Sequence, residues 1–176
     1  MTPPQPEIRS IKTFTVEGEW ISGTAIPKGE VTTIYPEYGR PYKETVPRNA
    51  KIRYGKVQLF TEHRNEKTLP YADTDSGTLI LTEDDNGIHY RGKLPPFAEH
   101  EKYAVEHKII KGASWRMYVN KEHRTPDGVR SLDDISIDEI SLTANPSYKR
   151  TSAQLRSAGP YRAIAQLIEK IVATDK

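Results

Sequence analysis

The sequence predicts an α+β domain made mostly of antiparallel β-strands, with a few helices. Three observations predict it. Short alternating runs rich in Val, Ile, Thr and aromatic residues fill the first two-thirds of the chain. Gly, Pro, Asn and Asp punctuate them. Between Ala98 and Lys111 the alternation gives way to helical spacing, with Tyr103, His107 and Ile110 on one side. A chain of 176 residues has room for one core and not for two ordinary domains.

Taken in order, Met1 to Pro6 reads as a flexible lead-in, extended to about residue 10, because it has neither a basic start nor an apolar run. Lys12–Val16 and Trp20–Ile26 flank Glu17-Gly18 and predict a first hairpin. A loop rich in Pro, Tyr and Gly follows to about Pro41. Lys56–His63 alternates, placing Val57, Leu59, Thr61 and His63 on one face, with His63 at the rim of the core. Thr78–Thr82 and Ile88–Gly92 surround Asp85-Asn86-Gly87, whose Asn-Gly pair suits a tight hairpin turn needing positive φ angles. The helix over Ala98–Lys111 is expected to end at Gly112.

Ala113–Val119 resumes alternation. Ala113, Trp115, Met117 and Val119 are expected inward and Ser114, Arg116 and Tyr118 on the opposite, accessible face. A charged loop from about Asn120 to Gly128 leads to a strand over Ile135–Ala144, in which Ile135, Ile137, Glu139 and Ser141 share a face. Beyond Pro146 a polar linker precedes an amphipathic helix over Tyr161–Val172, with Ile164, Leu167, Ile168 and Ile171 in one stripe. The resulting division is a lead over 1–10, a domain over 11–150, and a linker with its helix over 151–176.

Composition narrows the chemistry. A charged fraction of 28%, 13 prolines and a mean hydropathy of -0.71 describe a loop-rich, water-soluble chain, and no segment is apolar enough to cross a bilayer. We therefore expect a cytoplasmic, unsecreted protein. With no cysteine, disulfides, thiolate metal sites and a cysteine nucleophile are excluded, so covalent catalysis would fall to a serine or threonine. The net charge of +2 is spread along the chain, without the basic stripe that nucleic-acid binding uses.

No cofactor or metal is expected. Asp73-Thr74-Asp75-Ser76-Gly77 opens like a calcium loop but has glycine where a ligand is needed, so it reads as a turn. His100 and His107 have no third ligand near them and read as a solvated helix face. Acyl transfer by serine needs an imidazole to take its proton and a third group to hold that ring. His63, Ser114 and Glu139 occupy structured positions and offer those three types. Spacing alone does not select them. A surface histidine ending a strand, an ordinary exposed strand serine and a carboxylate paired with Arg or Lys are the more usual readings of each.

The surrounding pattern resembles the prohead proteases of tailed bacteriophages, a family related to the herpesvirus assembly proteases. The resemblance runs from about Thr13 to Ser152. It is carried by Gly23-Thr24-Ala25, Glu44-Thr45-Val46 with Asn49-Ala50, Val57-Gln58-Leu59-Phe60-Thr61-Glu62-His63, Gly92-Lys93-Leu94, and Gly112-Ala113-Ser114-Trp115. Its most specific block is Asp138-Glu139-Ile140-Ser141-Leu142-Thr143-Ala144-Asn145-Pro146. The chain departs from the family at Arg116 and Met117, where a glycine and an aromatic are usual, and at Pro47-Arg48-Asn49-Ala50 in place of Pro-Gly-Ala-Phe.

The resemblance implies a β-barrel-like, herpesvirus-protease-like fold and a serine endopeptidase. Ser114 would be its nucleophile, His63 its general base and Glu139 the group orienting the histidine. Backbone amides, helped by Arg116 or Arg150, would hold the oxyanion. Implied substrates are the major capsid protein or a scaffold, and the protease itself, which could form a homo-oligomer, inside the prohead in the host cytoplasm. The departures leave open a non-catalytic assembly or scaffold component that keeps the fold. From the residues alone, an unrelated β-rich binding module is the third reading.

Overall fold

The computed structural model describes residues 7–11, 14–17, 19–36, 40–61 and 68–144, and of 7–17 the backbone alone. In chain order the elements are β1 (Glu7–Ile11), β2 (Phe14–Glu17), β3 (Trp20–Pro27), β4 (Val31–Ile34), β5 (Tyr42–Thr45) and β6 (Lys51–Thr61). They continue with β7 (Ala72–Asp73), β8 (Leu79–Asp84), β9 (Gly87–Lys93), α1 (Glu99–Glu106), β10 (Gly112–Arg124) and β11 (Arg130–Thr143). The α+β class with mostly antiparallel strands is what the alternation predicted.

Seven strands form one sheet in the order β1-β10-β11-β5-β4, with β6 parallel to β11 and β7 along β6. The other four form β2-β3-β9-β8, all antiparallel. Among the described strands no pairing joins the two sheets or closes either into a barrel. The sheets meet at Gly92 of β9, where an added Cβ would lie 2.5 Å from Leu59 Cδ2 of β6 and near Ile21 and Leu79. A side chain there would push the layers apart. The shared core holds Trp115, Met117, Leu59, Ile21, Ile88, Ile140 and Leu142, all fully buried. Each such side chain contributes roughly 1.5–3 kcal/mol on leaving water.

Several expectations are corrected. Residues 7–10, part of the lead expected over 1–10, form with Ile11 a strand beside β10. The loop expected after Pro27 contains β4, whose Thr32 and Ile34 face inward. The helix stops at Glu106, well before Gly112, which instead opens β10. Most of the charged loop after Asn120 is strand, because its charges pair laterally: Arg130 with Glu122, and His123 with Asp133 at 2.7 Å. Arg130 also reaches the buried Glu44 at 3.1 Å and ties β5 to β11. The hairpin of β8 and β9 forms as expected, but its turn is Asp85-Asn86, since Asp84 pairs with Gly87. Asp73 closes the following turn by accepting from the Ser76 N–H at 2.7 Å.

The amphipathic helix expected over Tyr161–Val172 and the linker before it lie outside the described residues.

Candidate active site

Ser114 lies in the middle of the larger sheet, between β1 and β11, in register with Ser10 on one side and Ser141 on the other. Trp115 and Met117 point into the core as predicted, so Ser114 and Arg116 share the other face. That face was expected to be accessible. Ser114 is instead fully buried, and its hydroxyl donates over a long 3.5 Å to the carbonyl of Ser141. Phe60 stands beside Ser141 in the parallel β6, on this same face, and is 2% exposed, so the row Ser114, Ser141 and Phe60 is buried across three strands.

Glu139 reaches Ser114's face through an irregularity in β11. Arg116 pairs with Glu139 while Met117 pairs with Ile137, so Asp138 is an extra residue and β11 bulges there. Without it, period two would keep Glu139 on the face of Ile135 and Ile137, as the sequence reading had it. With it, the alternation inverts, and Glu139 and Ser141 turn away from the core toward Arg116 and Ser114. Two residues of the bulged strand oppose one on its partner, so both Asp138 and Glu139 face Arg116.

The contacts follow. Arg116 forks onto Asp138 through Nε to Oδ1 at 2.8 Å and Nη2 to Oδ2 at 2.6 Å. Its Nη1 lies 3.1 Å from Glu139 Oε2. The hydroxyl of Ser141 donates to Glu139 Oε1 at 2.9 Å. Hydrogen bonding to Asp138 raises the Arg116 pKa, and the charges of Glu139 and Asp138 add to the effect. Glu139 has no exposed surface, and an ionised carboxylate so placed needs such donors. Chemically, the group is a dry carboxylate held by a hydroxyl and a guanidinium, one strand away from a serine hydroxyl.

Of the five residues singled out from the sequence, Ser114, Arg116 and Glu139 share a face. His63 and Arg150 lie outside the described residues. The described part of β6 ends at Thr61, which pairs with Leu142 one row beyond Ser141. Sequence reasoning missed Ser141 and Asp138 as partners of this group. The adjacent acids Asp138-Glu139 opposite a strand arginine were a signal for an ion pair, whereas the bulge leaves no mark in composition.

A separate open cleft lies toward the far end of the β10–β11 ladder, lined by Asn49, Lys121, His123, Asp133 and Asp134. Nine positions along β10 separate His123 from Ser114, roughly 30 Å of strand. Among the described residues no cluster of three His, Asp or Glu could hold a metal, and no helix is long and apolar enough to cross a membrane. His100 is exposed and His107 stacks on Tyr103 with centroids 3.9 Å apart.

Compared with known proteins, the chain matches one family description, caudovirus prohead serine protease, over residues 7–163. No curated protein and no solved structure matches it.

Proposed function

Because the chain belongs to the caudovirus prohead serine protease family, we propose that it is the endopeptidase that matures the phage head, with Ser114 as nucleophile, His63 as general base and Glu139 as the group that orients the imidazole. The single observation that carries the assignment is the Asp138 bulge, which turns Glu139 onto Ser114's face. Ser114 Oγ attacks the scissile carbonyl and its proton passes to His63; collapse of the tetrahedral adduct expels the amine, which takes that proton. Water then attacks the acyl-serine by the same route and frees the carboxylate product. Backbone amides would hold the oxyanion, with Arg150 a further candidate. A fold related to that of the herpesvirus assembly proteases is part of this proposal and rests on the family resemblance alone.

Two conditions follow from the geometry. A fully buried hydroxyl cannot meet a peptide bond, so whatever covers Ser114 has to move when substrate binds. Leu59 and Thr61 pair with Ile140 and Leu142 on the core face, so strand alternation alone, carried past Thr61, would not bring a side chain at position 63 to Ser114's face. Substrates in this reading are extended segments of the major capsid protein or a scaffold, together with the protease itself, inside the prohead in the host cell. The domain would span residues 11–150, joined now by β1.

Co-expression with the capsid protein tests the reading. Ser114→Ala and His63→Ala should each abolish trimming of the capsid protein seen with the unaltered chain; trimming that persists in both overturns it. A second reading, a non-catalytic assembly component, draws on the burial of Ser114 and the engagement of Glu139 by Arg116. Labelling of Ser114 by a fluorophosphonate separates the two, since only an activated serine reacts.

A further inference from the structure

We propose that Ser141 and Arg116 are positioning residues that hold Glu139 ionised and correctly turned for the histidine, with Asp138 fixing Arg116 in turn. The inference rests on the triad reading above and assigns the groups behind it. Ser141 donates to Glu139 Oε1 at 2.9 Å and is itself fully buried, so the bond has no water to compete with it. Arg116 Nη1 faces the other oxygen at 3.1 Å. The fork onto Asp138 at 2.8 and 2.6 Å uses the remaining edge of the guanidinium and fixes its plane.

Charge supports the same assignment. Among the described side chains of this group two carboxylates face one guanidinium, an excess of negative charge that suits a neighbouring imidazolium. A carboxylate has about four acceptor sites, so the contacts with Ser141 and Arg116 do not by themselves exclude a ring N–H. Arg116, with both edges committed to carboxylates, is better suited to this role than to holding the oxyanion.

The test measures inactivation by a fluorophosphonate, separating the saturating labelling rate from the half-saturating concentration. Serine attack on phosphorus releases fluoride and sends the serine proton to the histidine, so the rate reports activation of the nucleophile without a known cleavage site. Ser141→Ala should lower the saturating rate about tenfold while the half-saturating concentration stays within about twofold. Ser141→Thr, which restores the hydroxyl, should recover most of it. Arg116→Lys keeps the charge but loses the fork, and should also lose about tenfold.

Ser114→Ala, run in parallel, must abolish labelling. If labelling survives in Ser114→Ala, the triad reading has failed. If Ser114→Ala is inert while Ser141→Ala and Arg116→Lys label at the full rate, the positioning role alone is overturned. Loss in Ser141→Ala that Ser141→Thr fails to recover, with melting temperatures unchanged, also overturns it.

Discussion

At the scale of single residues, the turn joining β8 to β9 shows how much one position constrains. Asp84 Oδ1 accepts from the N–H groups of Asn86 at 2.7 Å and Gly87 at 3.0 Å, so the carboxylate closes the turn around Asp85-Asn86. Gly87 then takes φ of 150° and passes so close to β3 that a Cβ would lie 2.0 Å from the carbonyl oxygen of Ile26. That oxygen belongs to backbone in a four-stranded sheet and has nowhere to go. Gly87→Ala should therefore cost about 3 kcal/mol or more, read as a lower midpoint in urea unfolding. A midpoint unchanged within error would mean β3 and β9 can separate freely there. The hairpin was legible from Asp-Asn-Gly between two alternating runs. The residue that bears the strain was legible too, but the turn's phase was not, because an aspartate one place earlier captures the amides.

At the scale of elements, α1 ends in a way its sequence does not advertise. Lys108 adopts φ of 57°, its N–H reaches Val105 O at 3.0 Å, and the N–H of Ile109 reaches Ala104 O at 2.8 Å. This is the six-to-one and five-to-two pair of bonds that closes a helix with a left-handed residue, a place glycine fills at least cost. Lysine there carries a penalty of about 1 kcal/mol, so Lys108→Gly should raise stability by roughly that amount, measured as a higher thermal midpoint. A fall would show that the lysine side chain contributes more than its backbone costs. Gly112 drew the expected end of the helix because glycine is the usual marker and lysine is not. The charged arm of β10 was read as loop for a related reason: Glu122 and His123 look solvated until their partners Arg130 and Asp133 on β11 are known. The bulge at Asp138 is the costliest omission, since it decides which face Glu139 occupies and only two neighbouring strands together define it.

At the scale of the molecule, the candidate site joins the consecutive strands β10 and β11 to β6, which lies far earlier in the sequence, and β1 adds to the sheet from the opposite end of the chain. Periodicity reports the face of one strand and not the identity of its neighbours, so the grouping of Ser114 with Glu139 was legible only through the family pattern. The same map bears on the tail. Among the described residues the buried hydrophobic core runs from Ile21 to Leu142, while the stripe of Ile164, Leu167, Ile168 and Ile171 comes after it in sequence. An apolar helical stripe of that size needs a surface to cover it. We predict that this surface is on a capsid or scaffold partner rather than on the two sheets. Truncation after Ser152 should then shift the melting temperature by less than about 3 °C, yet sharply reduce the amount of protein recovered inside proheads. A large drop in melting temperature would instead make the tail part of this fold, and full incorporation of a stable truncated chain would leave the stripe with no role in assembly.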